Sequence, residues 1–117
     1  MREIKFRAKH HKSNEWFNSP KDWTLSKFFE LLERHILHPE TLSQYIGLKD
    51  KNGKEIYEGD IFSSNDQDYN ESVVFDKGCF KSDWNMHCMN DFVDSNEEIV
   101  VIGNIYENPD LIKEEKL

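Results

Sequence analysis

The stretch from Gln44 to Asp60, Gln-Tyr-Ile-Gly-Leu-Lys-Asp-Lys-Asn-Gly-Lys-Glu-Ile-Tyr-Glu-Gly-Asp, constrains the fold of this chain more than any other. Its middle, Lys51-Asn52-Gly53-Lys54, predicts a hairpin turn of type I′, because Asn and Gly tolerate the positive φ that such a turn requires. Two β-prone pairs, Tyr45-Ile46 and Ile56-Tyr57, flank the turn. Gly59-Asp60 predicts a second corner ahead of Ile61-Phe62, since Gly lets the backbone bend where a Cβ would clash. Two tight corners so close together suit a small, strongly curved antiparallel sheet.

The flanking sequence extends this pattern. Arg2 to Ala8 alternates, with Ile4, Phe6 and Ala8 on one face and Glu3, Lys5 and Arg7 on the other, as a half-buried strand does. Lys9 to Glu15 is polar and turn-like, Trp16-Phe17 forms a short returning strand, and Asn18 to Asp22 is a breaker cluster. A helix is predicted over Leu25–Leu37 with Thr24 as N-cap. Leu25, Phe28, Phe29, Leu32 and Ile36 form its apolar stripe, Lys27, Glu30 and Arg34 face away, and Pro39 stops it. The stripe would serve equally to cover the chain's own sheet or a neighbour.

From Leu42 onward the pattern is strands and turns. Ser63 to Ser72 reads as a loop carrying Asp66, Asp68 and Glu71 and no cation. Val73-Val74-Phe75 and Cys79-Phe80-Lys81 make a second hairpin, with Gly78 at the position that wants positive φ. Trp84 to Val93 is aromatic and Met-rich, and reads as a buried strand or an irregular core segment. Ile99 to Ile102 is a continuous apolar run expected to be buried on both faces. Gly103-Asn104 is a bend, Asn108-Pro109 ends the element, and Leu111 to Leu117 forms a last helical turn or frays. The fold expected is mainly β with one α-helix. It comprises a strand–helix extension over 1–41 and a small barrel over 42–117.

Composition bounds the chemistry. Of 117 residues, 37% are hydrophobic and 13% aromatic, enough for a modest core that a partner can complete. Net charge is −8, divided into +3 over residues 1–38 and −11 over 39–117. An acidic body argues against general binding to a phosphate backbone, where Lys and Arg must replace counterions. Met1 to Lys12 lacks the apolar core of a signal peptide, and no apolar run approaches the roughly 20 residues of a membrane helix. The expectation is therefore a cytoplasmic protein without membrane association, whose Cys79 and Cys88 stay reduced.

No catalytic constellation emerges. His10-His11, His35/His38 and His87-Cys88 lack the paired spacing that zinc requires, so neither metal nor cofactor is expected. Neighbouring strand residues point to opposite faces, so His87 cannot serve Cys88 as a base. Asp50, Glu55, Glu58 and Asp60 cluster around the hairpin, where carboxylates are usually turn chemistry and solvated charge. The five glycines form no phosphate-cradling array. The chain is not expected to be an enzyme. Lys49, Lys51 and Lys54 give one basic hairpin tip, the best case for contact with nucleic acid. Tyr45, Tyr57, Glu58, Asp60 and Tyr106, at or beside the conspicuous corners, are the candidate contacts for a protein partner or a second copy of the chain.

Three blocks together carry a resemblance. Met1-Arg2-Glu3-Ile4-Lys5-Phe6-Arg7-Ala8, the central stretch, and Val101-Ile102-Gly103-Asn104-Ile105-Tyr106-Glu107-Asn108-Pro109 resemble the YopX family of phage and prophage proteins. The resemblance spans nearly the whole chain. It implies an SH3-like barrel for the C-terminal part and a phage or prophage origin, and it brings no assigned activity and no catalytic residues. The function expected is that of an accessory protein that binds a host or phage protein, or itself as a homo-oligomer. The alternative is a weak nucleic-acid association through the N-terminal basic segment and the 49–54 hairpin.

Overall fold

A computed structural model describes residues 4–19, 24–64, 70–83, 88–89 and 99–113. The chain divides into two compact units, Met1–Tyr45 and Ile46–Leu117.

In the first unit, β1 (Phe6–Lys9) is the middle strand. It pairs antiparallel with β2 (Trp16–Ser19) on one side, and Phe6 and Arg7 pair with Gln44 and Ser43 of β3 (Ser43–Lys49) on the other. Helix α1 (Leu25–Glu33) begins where the sequence places it, the Thr24 hydroxyl accepting from the Lys27 N–H at 3.2 Å. Phe28, Leu31 and Leu32 of α1 pack with Ala8 and Leu37, margined by Phe6, Phe17, Ile36 and Leu42. The helix thus covers its own unit's sheet. Its outer apolar residues, Leu25 and Phe29, stay exposed.

Two expectations for this unit are corrected. The helix ends at Glu33 and not at Leu37, because His35 takes a left-handed φ of 59° and frees Ile36 and Leu37 from the helix. The Ile36 and Leu37 N–H groups cap the helix end on the Leu31 carbonyl, at 3.0 and 3.2 Å, while Leu37 also bridges to His10 and the His38 N–H donates to the Lys9 carbonyl at 2.7 Å. The charged face of β1 is also not solvated: Arg7 is buried, and so is Lys9, which belongs to the strand and not to the turn after it. Strand register sets Trp16 opposite Lys9, and both cations lie over the indole, at 4.2 Å for Arg7 and 5.0 Å for Lys9.

From Ile46 onward β3 belongs to the second unit, where it forms a ribbon with β4 (Glu55–Tyr57). β5 (Asp60–Ser64), β6 (Glu71–Asp76), β7 (Cys79–Ser82) and β8 (Ile99–Asn104) form an antiparallel sheet in the order β7-β6-β5-β8, and α2 (Asp110–Lys113) follows. Ile46 and Ile56 of the ribbon share one core with Phe62, Val73, Phe80, Met89, Ile99 and Val101. Among the described residues the ladders form two antiparallel sheets and no closed ring of strands.

The second unit corrects four details. The 51–54 turn is not type I′: Gly53 has φ 84°, but Asn52 is not in the left-handed region, and the Gly53 N–H donates to the Asp50 carbonyl. A type I′ geometry occurs instead at Lys77-Gly78, φ 49° and 80°, between the paired Asp76 and Cys79. Glu71 is no loop residue but a strand residue with no exposed surface, accepting from the Ser82 hydroxyl; Asp66 and Asp68 lie outside the described residues. β8 is an edge strand buried on one face only. Ile61 pairs with Gly103 and Phe62 with Val101, leaving Ile102 as the extra residue of a bulge, 41% exposed. Cys79 and Cys88, expected to stay reduced, are paired as a disulfide: Cys88 pairs with Lys81, which makes Cys79 its diagonal neighbour on the same face of β7. Of the Trp84–Val93 segment only Cys88 and Met89 are described, and Met89 is in the core.

Candidate functional site

The two corners singled out in the sequence meet in the second unit. At the first, Gly59 has φ 88°, and the buried Asp60 carboxylate accepts from the Tyr57 N–H at 2.8 Å. At the second, the Asn104 side-chain oxygen accepts from the N–H groups of Tyr106 and Glu107 at 3.0 and 2.9 Å, while its amide donates to the Glu107 carboxylate at 2.7 Å. Asp60 pairs with Asn104 across β5 and β8, and the Ile105 N–H donates to the Gly59 carbonyl at 2.9 Å. The Tyr106 ring lies so close to Gly59 that a Cβ there would sit 3.1 Å from Cε2. Tyr57, Glu58, Asp60 and Tyr106 are therefore one cluster. Tyr57 and Asp60 are buried, while Glu58 and Tyr106 are half-buried. Tyr45 belongs to the first unit, where it is buried with the Lys5 ammonium 5.2 Å from its ring centre.

Asp50 organises the hairpin tip. Its Oδ1 accepts from the Asn52 and Lys54 N–H groups, both at 2.9 Å, and its Oδ2 accepts from the Val101 N–H at 3.0 Å. The Lys51 N–H donates to the Ile99 carbonyl at 3.0 Å, so the tip is tied to β8 twice. Burial pushes the Asp50 pKa upward, but the backbone donors of Val101, Lys54 and Asn52, with the Lys54 charge, outweigh it and hold the carboxyl below its ordinary value. Lys49, Lys51 and Lys54 are exposed around this knot. Lys5 and Arg7, their expected counterparts in the basic N-terminal segment, lie over Tyr45 and Trp16, and Arg2 is outside the described residues.

Three residues named in the sequence have buried roles that it does not show. Asp50 and Asn104 were legible only as turn formers, although each sits beside a Gly or Asn corner. The Glu71 carboxylate is matched on one oxygen by Ser82 and has no hydrogen-bond partner on the other. Glu71 carries no local signal, since an acidic residue after Asn70 reads as loop.

Among the described residues no group of three or more His, Cys, Asp or Glu is placed to hold a metal ion. His11 Nδ1 hydrogen-bonds the Ile36 carbonyl at 3.0 Å, His38 lies 3.7 Å from Glu40, and His87 is outside the described residues. No helix among the described residues is long and apolar enough to cross a membrane.

Comparison with known proteins adds three findings. The family model described as YopX protein matches residues 5–113. A crystal structure of protein EF1440 from Enterococcus faecalis is similar in fold, with a TM-score of 0.63 at 23% identity, covering 96% of this chain and 99% of that one. No curated protein matches the chain.

Proposed function

This chain belongs to the YopX family, and on that premise we propose that it is a non-catalytic accessory protein of a phage or prophage, acting by binding another protein or a second copy of itself inside the host cell. One observation carries the reading. The buried polar residues of the hairpin tip and the two corners, Asp50, Asp60 and Asn104, are occupied with backbone N–H groups, whereas large apolar side chains stay at the surface. In the first unit these are Leu25, Phe29, which is edge-on to Phe6 at 5.5 Å, and Ile4, which precedes β1 and is exposed instead of sharing the buried face expected of it; in the second they are Ile102, Ile105 and Phe75, the last 54% exposed against Phe80. Aromatic residues are enriched in the buried cores of interfaces relative to the rest of a protein surface. The core shared by the β3–β4 ribbon and the four-stranded sheet supports reading the second unit as an SH3-like barrel.

A second reading, weak association with nucleic acid, rests on the exposed Lys49, Lys51 and Lys54. The two readings separate by salt. Tagged protein is copurified from its host with nuclease treatment across a salt series, beside Phe29→Glu and Phe75→Glu variants. A partner retained after nuclease and at high salt, and lost in either variant, supports the protein-binding reading. Recovery lost on nuclease treatment and falling steeply with salt sinks it in favour of the lysine tip.

A further inference from the structure

We infer that the Cys79–Cys88 pair is a reversible redox clasp that holds Met89 in the core of the second unit. Cys88 is fastened to β7 by its isolated bridge with Lys81 and by the disulfide, with a Cα separation of 6.4 Å, inside the span that the bond accepts. The next residue, Met89, is 1% exposed and packs in the cluster with Phe80 and Val73. Both cysteines are half-buried and lie on the face of β7 shared with Lys81. The bond thus sits one residue from a fully buried side chain.

The chemistry is thiol–disulfide exchange. A thiolate from a small-molecule thiol attacks one sulfur of the pair, the Cys79–Cys88 bond breaks, and the other sulfur leaves as a thiolate that takes a proton from water. A second thiol then displaces the first from the mixed disulfide. The net result is two protein thiols and one oxidised small-molecule disulfide. The reverse, driven by oxidised glutathione, closes the clasp. Opening removes the covalent limit on the 79–88 loop, so the Cys88–Met89 step is then held by its bridge and by packing alone.

The test uses the full chain. After incubation with oxidised glutathione, protein denatured in the presence of a maleimide should take up no label, and after dithiothreitol two labels. In the folded protein, deuterium exchange in the peptide carrying Cys88-Met89 should run at least about tenfold faster once reduced with a phosphine, with β5 unchanged. The Cys79→Ser, Cys88→Ser double variant should show the fast rate whether or not reductant is present. Two free thiols persisting after oxidised glutathione, or equal exchange in both states, overturns the proposal. The exchange comparison needs only the unsubstituted protein, so a double variant that does not fold leaves it decisive.

Discussion

Replacing Asp50 by Asn leaves one acceptor oxygen where three backbone N–H groups now converge on two. The amide would also turn a donor toward one of those N–H groups. Asp50→Asn should therefore cost about 1–3 kcal/mol in urea unfolding at neutral pH. Because the folded-state pKa is lowered, the carboxylate's contribution is complete above its unfolded value, about 4, and disappears as pH falls through the folded value. The variant should lack that acid limb, and a pH series of unfolding midpoints reads this directly. Glycines 53 and 59 offer a matched pair, since both have positive φ but only Gly59 faces a ring. Gly53→Ala should cost about 1 kcal/mol from backbone conformation alone. Gly59→Ala should cost more, because Tyr106 must move. Equal losses in thermal unfolding would show that the Tyr106 contact contributes nothing.

At the scale of elements, what the sequence made legible was periodicity and corners. β1, the returning β2, the Thr24 cap and both hairpins follow from alternation, from Gly and Asn, and from a hydroxyl ahead of an apolar stripe. What escaped depended on partners distant in sequence. Arg7 and Lys9 look like a solvated face until strand register brings Trp16 beneath them. Ile102 looks buried until a bulge turns it out, and Glu71 looks like loop until Ser82 arrives from β7. The candidate site was legible as two corners, but not as one cluster, because only the β5–β8 pairing joins them. The second hairpin yields a prediction of its own. Lys77 holds a φ of 49° that Asn adopts more readily, so Lys77→Asn should raise stability by about 0.5 kcal/mol, measured by chemical denaturation. A loss would mean that the Lys77 side chain has a role beyond turn geometry.

Across the whole molecule, charge is divided between the units. Met1–Tyr45 carries eight Lys and Arg against six Asp and Glu, and Ile46–Leu117 seven against seventeen. At physiological ionic strength, about 0.15 M, the protein should pass through heparin and bind an anion exchanger. Retention on heparin, abolished by replacing Lys49, Lys51 and Lys54 with Gln, would instead favour the nucleic-acid reading.

β3 serves both units: Ser43 and Gln44 pair with β1, while Ile46 enters the second core. A single residue inserted or deleted beside Ile46 would carry that side chain out of the second unit's core. Such a strand is a poor place for a recombination breakpoint. A crossover between two relatives at Tyr45-Ile46 must keep the frame of both halves to the residue, whereas one in the Lys9–Glu15 turn need only reclose a loop. Chimaeras joined at those two places should differ sharply in how often they yield folded protein, with the permissive join lying inside the first unit and not at the border between the two.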